Sequence, residues 1–168
     1  VPHGVNEHKF FPITELHPNW DEYSEWSTTF KKQHEVDFLV FWNNRNIRRK
    51  NPADLILSYN TFCDQLPKEK AERCALFMHT QISDDNGTNL MAVKNALCPK
   101  YKVIFSTSPV DQKVLNFMYN MSNVTVNIAS NEGFGISWCE SLQAGTPIVN
   151  NVTGGLQDGC RFEDEICV

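Results

Sequence analysis

Glu132 and Glu140 stand eight positions apart, and Glu140 is the only charge from Gly133 to Val152. A carboxylate in so apolar a run must be paired or must accept hydrogen bonds. Between the two lies Gly133-Phe134-Gly135, whose glycines allow a tight turn with bare backbone N–H groups. The pattern predicts a helix over 135–144, so its free amides and the positive end of its dipole face that turn. At ~1.5 Å of rise per residue the two carboxylates are roughly 12 Å apart along the axis. A ligand laid across the helix start would meet a carboxylate at each end and the amides at its middle. A solvated helix face for Glu140, and a dipole-favoured turn position for Glu132, account for the same residues without a ligand.

A second cluster opposes the first in sign. Asn43 to Pro52 carries Arg45, Arg48, Arg49 and Lys50 within six positions of a chain whose net charge is −5. The cations precede a helix that Pro52 suits as a first-turn residue, where they oppose the helix dipole at up to about 1 kcal/mol each. An anion would remove the conflict. A diphosphate gripped by Arg45 and Lys50, opposite the amides of Gly133–Ile136, is consistent with both clusters. A solvated basic loop or a nuclear-localisation-like run fits the cations as well.

The elements that must position these groups alternate along the chain. Residues 1–20 read as loop, broken by Pro2, Pro12 and Pro18. Helices are predicted over Asp21–Gln33 (Asp21 as cap), Pro52–Leu66, Leu90–Leu97, Val110–Met118 and Gly135–Ala144. Strands are predicted over Val36–Trp42, Cys74–His79, Val103–Phe105, Val124–Ala129 and Pro147–Asn150, with another beginning near Ile166. Continuous apolar strands mark a parallel sheet covered on both faces. The expected fold is α/β, a doubly wound parallel sheet with ligands at the carboxyl ends of its strands.

Several features carry less. Thr107-Ser108-Pro109 follows the third strand, where a nucleotide base would rest in such a sheet; an ordinary loop fits equally. Ser83-Asp84-Asp85-Asn86-Gly87 is turn chemistry. The histidines have no metal-site spacing, and His79 reads as structural. Gly154 and Gly155 either present N–H groups to a ligand or form a plain turn. No apolar stretch approaches the ~20 residues of a membrane span, and the negative charge disfavours nucleic acid. The six cysteines show no Cys-x-x-Cys spacing and read as reduced thiols of a reducing, cytoplasmic compartment. Val1 in place of Met, and an apparent strand start at Glu165–Val168, suggest part of a longer protein.

At Glu132-x7-Glu140 the chain resembles the retaining glycosyltransferases of family four, which have the GT-B fold. Arg45 to Lys50 is similar to that family's arginine-x4-lysine pair, Thr153-Gly154-Gly155 to its later glycine turn, and Val1–Val5 to the segment entering its C-terminal domain. The positions inside that pair vary in the family, which implies that Arg48 and Arg49 face solvent. The resemblance implies that residues 1–20 are an interdomain lead-in and 21–168 the C-terminal, nucleotide-sugar-binding domain. It assigns catalytic roles to Arg45, Lys50 and Glu132. Donor binding falls to Gly133, Phe134, Gly135, Ile136 and Glu140, with Thr107 and Ser108 near the base. The implied donor is a nucleoside-diphosphate sugar, taken to be of the GDP-mannose type because such donors are frequent in that family, with the UDP-glucose type as the alternative. No cofactor or metal is implied. The acceptor, a glycan, lipid or small molecule, would be held by a missing N-terminal domain, and the fragment alone would transfer nothing. Two rival readings are a non-catalytic nucleotide-sugar-binding module and a sugar phosphorylase on a similar sheet. A dinucleotide-dependent enzyme would need a Gly-x-Gly-x-x-Gly turn after the first strand, where this chain has no glycine.

Overall fold

The computed structural model describes residues 4–157, so the strand expected near Ile166, Cys160, Cys167 and Val1–His3 lie outside the described residues. Helix α1 (Trp20–His34) leads to β1 (Phe38–Asn43), a 3-10 turn (Arg48–Lys50), α2 (Pro52–Asp64) and a short α3 (Lys68–Ala71). Then follow β2 (Cys74–His79), α4 (Leu90–Leu97), β3 (Lys102–Ser106), α5 (Gln112–Met121), β4 (Val124–Asn127), α6 (Ile136–Gln143) and β5 (Ile148–Asn150).

All strands pair in parallel, in the order β3-β2-β1-β4-β5. The chain therefore winds outward from β1 to β3, returns, and winds the other way through β4 and β5. Helices α2 and α4 cover one face of β1–β3, with Leu55, Ile56, Tyr59 and Leu90 against Val40, Leu76 and Met78. On the other face α1 and α5 pack Trp26, Phe30, Met118 and Tyr119 on Leu39, Phe41 and Phe77. The segment before α1 is irregular but docked. Phe10 is buried, and Asn116 and Asn120 of α5 accept from the N–H groups of Phe11 and Ile13 at 3.3 and 2.7 Å.

The sequence-based boundaries shift for local reasons. Asp21 is not the cap of α1: Asn19 holds that position without a side-chain bond, and Asp21 sits in the first turn, where the dipole favours it. Glu35 at φ 53° ends α1, and the N–H of Val36 bonds back to Lys31, so β1 starts at Phe38. The side chain of Asp111 accepts from the Val114 N–H and starts α5 later than expected, and the helix then runs on through Tyr119 to Met121. Helix α3 is too short to show periodicity.

Strand β4 departs from the expected continuous apolar pattern. Its buried side carries Thr125 and Asn127, while Val124, Val126 and Ile128 are only half-buried. The hydroxyl of Ser141 in α6 bonds Thr125 at 2.8 Å, which satisfies the polar side. On the other face Val124, Val126 and Ile128 pack beside Leu55 and Tyr59 of α2, so helices flank the sheet on both faces, more loosely at β4 than at β1 and β2.

Candidate functional site

Between β1 and β4 the winding reverses, and the loops leaving their carboxyl ends must diverge. In an open α/β sheet that crevice is where ligands bind. It holds here a cleft of about 510 Å³ lined by Asn43, Asn44, Arg45, Arg49 and Lys50 on the β1 side. Glu132, Gly133, Phe134, Gly135, Ile136, Ser137 and Glu140 line it on the β4 side.

The turn after β4 is built by close backbone approach. Gly135 caps α6 at φ 78°, a left-handed conformation suited to glycine. Trp138 donates from its indole to the Phe134 carbonyl at 2.7 Å, closing the turn. The Thr153–Gly155 turn presses against it from outside. A Cβ at Gly155 would fall 1.8 Å from the Gly133 carbonyl oxygen, and one at Gly154 would fall 2.1 Å from that of Glu132. The Gly155 N–H donates to the Glu132 carbonyl at 2.9 Å. Of the two sequence readings, the structural one describes these glycines: they buttress the turn.

Glu132 is buried beneath the turn, 4% exposed. Lys50 donates to Oε1 in a salt bridge, Asn127 of β4 to Oε1 at 3.3 Å, and Arg49 to Oε2 at 2.9 Å. Arg49 also donates to the Asn131 carbonyl at 2.7 Å. Arg48 and Arg49 are both exposed, as expected, but the Arg49 guanidinium in addition reaches the carboxylate. Burial pushes the Glu132 carboxyl up, but the hydrogen bonds of Lys50 and Arg49 outweigh it and hold the group below the ordinary carboxylate range. Burial pulls the Lys50 ammonium down, against the opposing pull of Glu132. Asn44 accepts from the same ammonium at 2.6 Å.

Glu140, five residues into α6, has neutral partners. The Tyr119 hydroxyl donates to Oε2 at 2.6 Å and the Asn43 amide to the same oxygen at 3.4 Å. Burial dominates there and raises the Glu140 carboxyl above its ordinary value, the two hydrogen bonds opposing it.

Arg45 forms a forked pair with Asp84 in the loop after β2, Nε to Oδ2 at 2.7 Å and Nη2 to Oδ1 at 3.2 Å, and its side chain stays 64% exposed. The hydrogen bond and charge of Asp84 raise the guanidinium, while Arg45 and the Asn86 N–H lower the Asp84 carboxyl. The loop is pinned by Asn46, fully buried, whose amide donates to the carbonyls of Gln81, Ile82 and Thr88 at 3.3, 3.1 and 2.7 Å.

Most of the predicted site residues thus meet in one cleft. Thr107 and Ser108 do not line it. They are exposed, beyond the end of edge strand β3, and the sheet order puts β2 between them and β1. His79 bonds Ser106 at 3.0 Å at the end of β2. Sequence reasoning passed over Asn43, Asn44, Arg49, Tyr119, Asn127 and the pairing of Asp84 with Arg45. Arg49 lay inside the quoted cation cluster, but Tyr119 had the spacing of an ordinary core residue. Among the described residues no group of three or more His, Cys, Asp or Glu could hold a metal ion.

No protein-family model and no curated protein matches the chain. Solved structures resemble it in fold. The C-terminal domain of a glycosyl transferase group 1 family protein (LpcC) from Francisella tularensis aligns with a TM-score of 0.65 at 14% identity, over 90% of this chain and 72% of that one. Sucrose-phosphate synthase from Thermosynechococcus elongatus aligns at 0.66 with 22% identity, over 94% of this chain and 35% of that one. Anabaena HepE in complex with UDP-glucose aligns at 0.70 with 14% identity, over 95% and 40%. The chain thus spans well under half the length of the last two proteins. Its five-stranded parallel sheet with flanking helices is the Rossmann-like fold found in the C-terminal domains of GT-B glycosyltransferases.

Proposed function

We propose that the chain is the nucleotide-sugar-binding domain of a retaining GT-B glycosyltransferase of the family-four type. The observation that carries this reading is the cleft at the winding reversal, where Lys50, Arg49 and Arg45 face a glycine turn bracketed by Glu132 and Glu140. A nucleoside-diphosphate sugar fits the order of groups. Glu140 would accept hydrogen bonds from the ribose hydroxyls. The cations and the first amides of α6 would take the diphosphate, and Glu132 would orient the sugar beside them.

In the transfer the bond between the anomeric carbon and the diphosphate oxygen breaks, the acceptor hydroxyl oxygen bonds that carbon on the same face of the sugar, and the hydroxyl proton leaves with the departing diphosphate. Charge grows on the departing diphosphate, and fixed cations and amides stabilise it where it develops. The reading includes no metal and no cofactor. An N-terminal domain would hold the acceptor and close over the donor, so the chain alone would bind without transferring. UDP-glucose-type and GDP-mannose-type donors both belong to the proposal; the UDP-glucose bound by HepE favours the first. A cytoplasmic setting goes with the reduced thiols of Cys63, Cys74 and Cys98.

Calorimetric titration with UDP, GDP and their sugars, in the absence of metal, tests this. Saturable binding of one base class, abolished by Glu140→Ala, is the expected result. Failure of every nucleotide to bind at millimolar concentration, both to the chain and to its full-length parent, would refute it. In that parent Lys50→Ala is expected to cut kcat by at least about ten-fold.

A further inference from the structure

Glu140 is held in place by a residue from a different helix. Tyr119 lies in α5, fully buried, with its ring edge-on to Phe10 at 5.9 Å and to Phe41 at 5.1 Å. Its backbone carbonyl accepts from the Thr146 hydroxyl at 2.7 Å, which ties this point of α5 to the turn after α6. A phenylalanine would fill the same space. The hydroxyl is what differs, and it is spent on the cleft: it donates to Glu140 Oε2 at 2.6 Å and accepts from the Asn43 amide at 3.0 Å.

The acceptor bond from Asn43 decides the direction of the other. With its lone pair engaged by Asn43, the hydroxyl must point its proton at Glu140. The tyrosine also stays a donor, because burial, then the charge of Glu140, raises its ionisation far above the ordinary value. Tyr119 and Asn43 both donate to Oε2, at 2.6 and 3.4 Å, so the carboxylate cannot rotate about its last torsion without losing them. A carboxylate that must recognise a pair of hydroxyls needs such a fixed plane.

We infer that Tyr119, oriented by Asn43, is the positioning residue that sets the Glu140 carboxylate for ribose recognition. The inference rests on the nucleotide-sugar reading above and adds to it a residue that touches no substrate. Its role is distinguishable from a packing role, because it acts only through the hydroxyls that Glu140 would bind.

The test is a cycle of two proteins and two ligands on the 168-residue chain: wild type and Tyr119→Phe, each titrated with a nucleoside diphosphate (UDP and GDP) and with its 2′,3′-dideoxy counterpart. Tyr119→Phe is expected to weaken the ribose ligand about ten-fold, the loss typical of removing a donor from a buried charged acceptor. The dideoxy ligand is expected to bind both proteins equally. Asn43→Ala repeats the measurement without touching the packed ring, and a smaller loss of the same kind is expected. Equal weakening of both ligands in the two variants, or no weakening, overturns the inference while leaving nucleotide binding intact. A wild type that binds neither ligand, both as the chain and as its full-length parent, or that binds both ligands alike, removes the ribose role of Glu140 and the role of Tyr119 with it.

Discussion

Glu132 and Glu140 share a residue type, a motif and a cleft, yet the protein treats them oppositely. Glu132 is embedded among charges: an ammonium, a guanidinium and an amide converge on it, and its carboxyl is held below the ordinary range. Glu140 is embedded among neutral groups, a phenol and an amide, and burial raises it. The difference lies in what packs behind each. Glu132 sits over the basic loop that follows β1, while Glu140 backs onto the aromatic face of α5. One carboxylate closes an ion pair that holds two loops together. The other is held by neutral donors and has no charged partner among the hydrogen bonds it accepts from Tyr119 and Asn43.

Altering Glu132 is expected to have the largest effect. Glu132→Gln leaves Lys50 buried opposite a neutral amide, and breaking a buried pair from one side costs about 3 kcal/mol or more. A melting curve indistinguishable from wild type would deny the pair its structural role. Removing both charges together, as Lys50→Met with Glu132→Gln, is expected to recover much of that loss.

Acid titration sharpens the contrast through its sign. The folded value of Glu132 is depressed, so its stabilisation is complete above the unfolded carboxylate range. That stabilisation disappears as pH falls toward the lower, folded value. Glu140 is raised, so it penalises the fold above its folded value, and the penalty fades as pH falls through that value to the ordinary range. Stability against pH in Glu132→Gln is therefore expected to lose its steep acid limb. The Glu140→Gln variant is expected to match or exceed wild-type stability near neutrality while binding nucleotide more weakly. A Glu140→Gln protein that melts earlier would contradict the assigned direction.

Smaller effects follow at the half-exposed and exposed cations. Arg49→Ala removes a bond to a buried carboxylate, but its guanidinium is partly in water, and a loss of about 0.5–1 kcal/mol is expected in denaturant unfolding. Arg45→Ala and Asp84→Ala break only an exposed pair and are expected to leave the melting temperature unchanged. Any influence of Arg45 belongs to ligand binding, which titration of the same variant measures.

Much of the scaffold was legible in the chain because its signals are local. The apolar runs at Leu39–Trp42 and Ala75–Met78, the helical spacing from Leu55 to Cys63, and the glycines at 133 and 135 each act within a few residues. Strand β4 was harder to read, since its buried side carries Thr125 and Asn127 and its apolar side is half-open. Tyr119 fell just past the predicted end of its helix, and nothing in its neighbourhood distinguishes it from a core aromatic.

The order of strands and helices along the chain, and the gathering of Arg45, Lys50, Glu132 and Glu140 at the carboxyl ends of parallel strands, follow from pattern and chain connectivity. The pairing inside the cleft does not. Whether a cation meets Glu132 or Asp84, and whether a carboxylate is flanked by Arg49 or by Tyr119, depends on segments 21 to 83 residues apart in sequence. Asn46 brings one of those loops in by hydrogen-bonding three carbonyls, and Gly154 and Gly155 bring another in by leaving room for the Glu132–Gly133 backbone. Burial and electrostatics in a packed cleft depend on such distant neighbours, so only the tertiary structure decides which glutamate is locked into an ion pair and which is held by neutral donors.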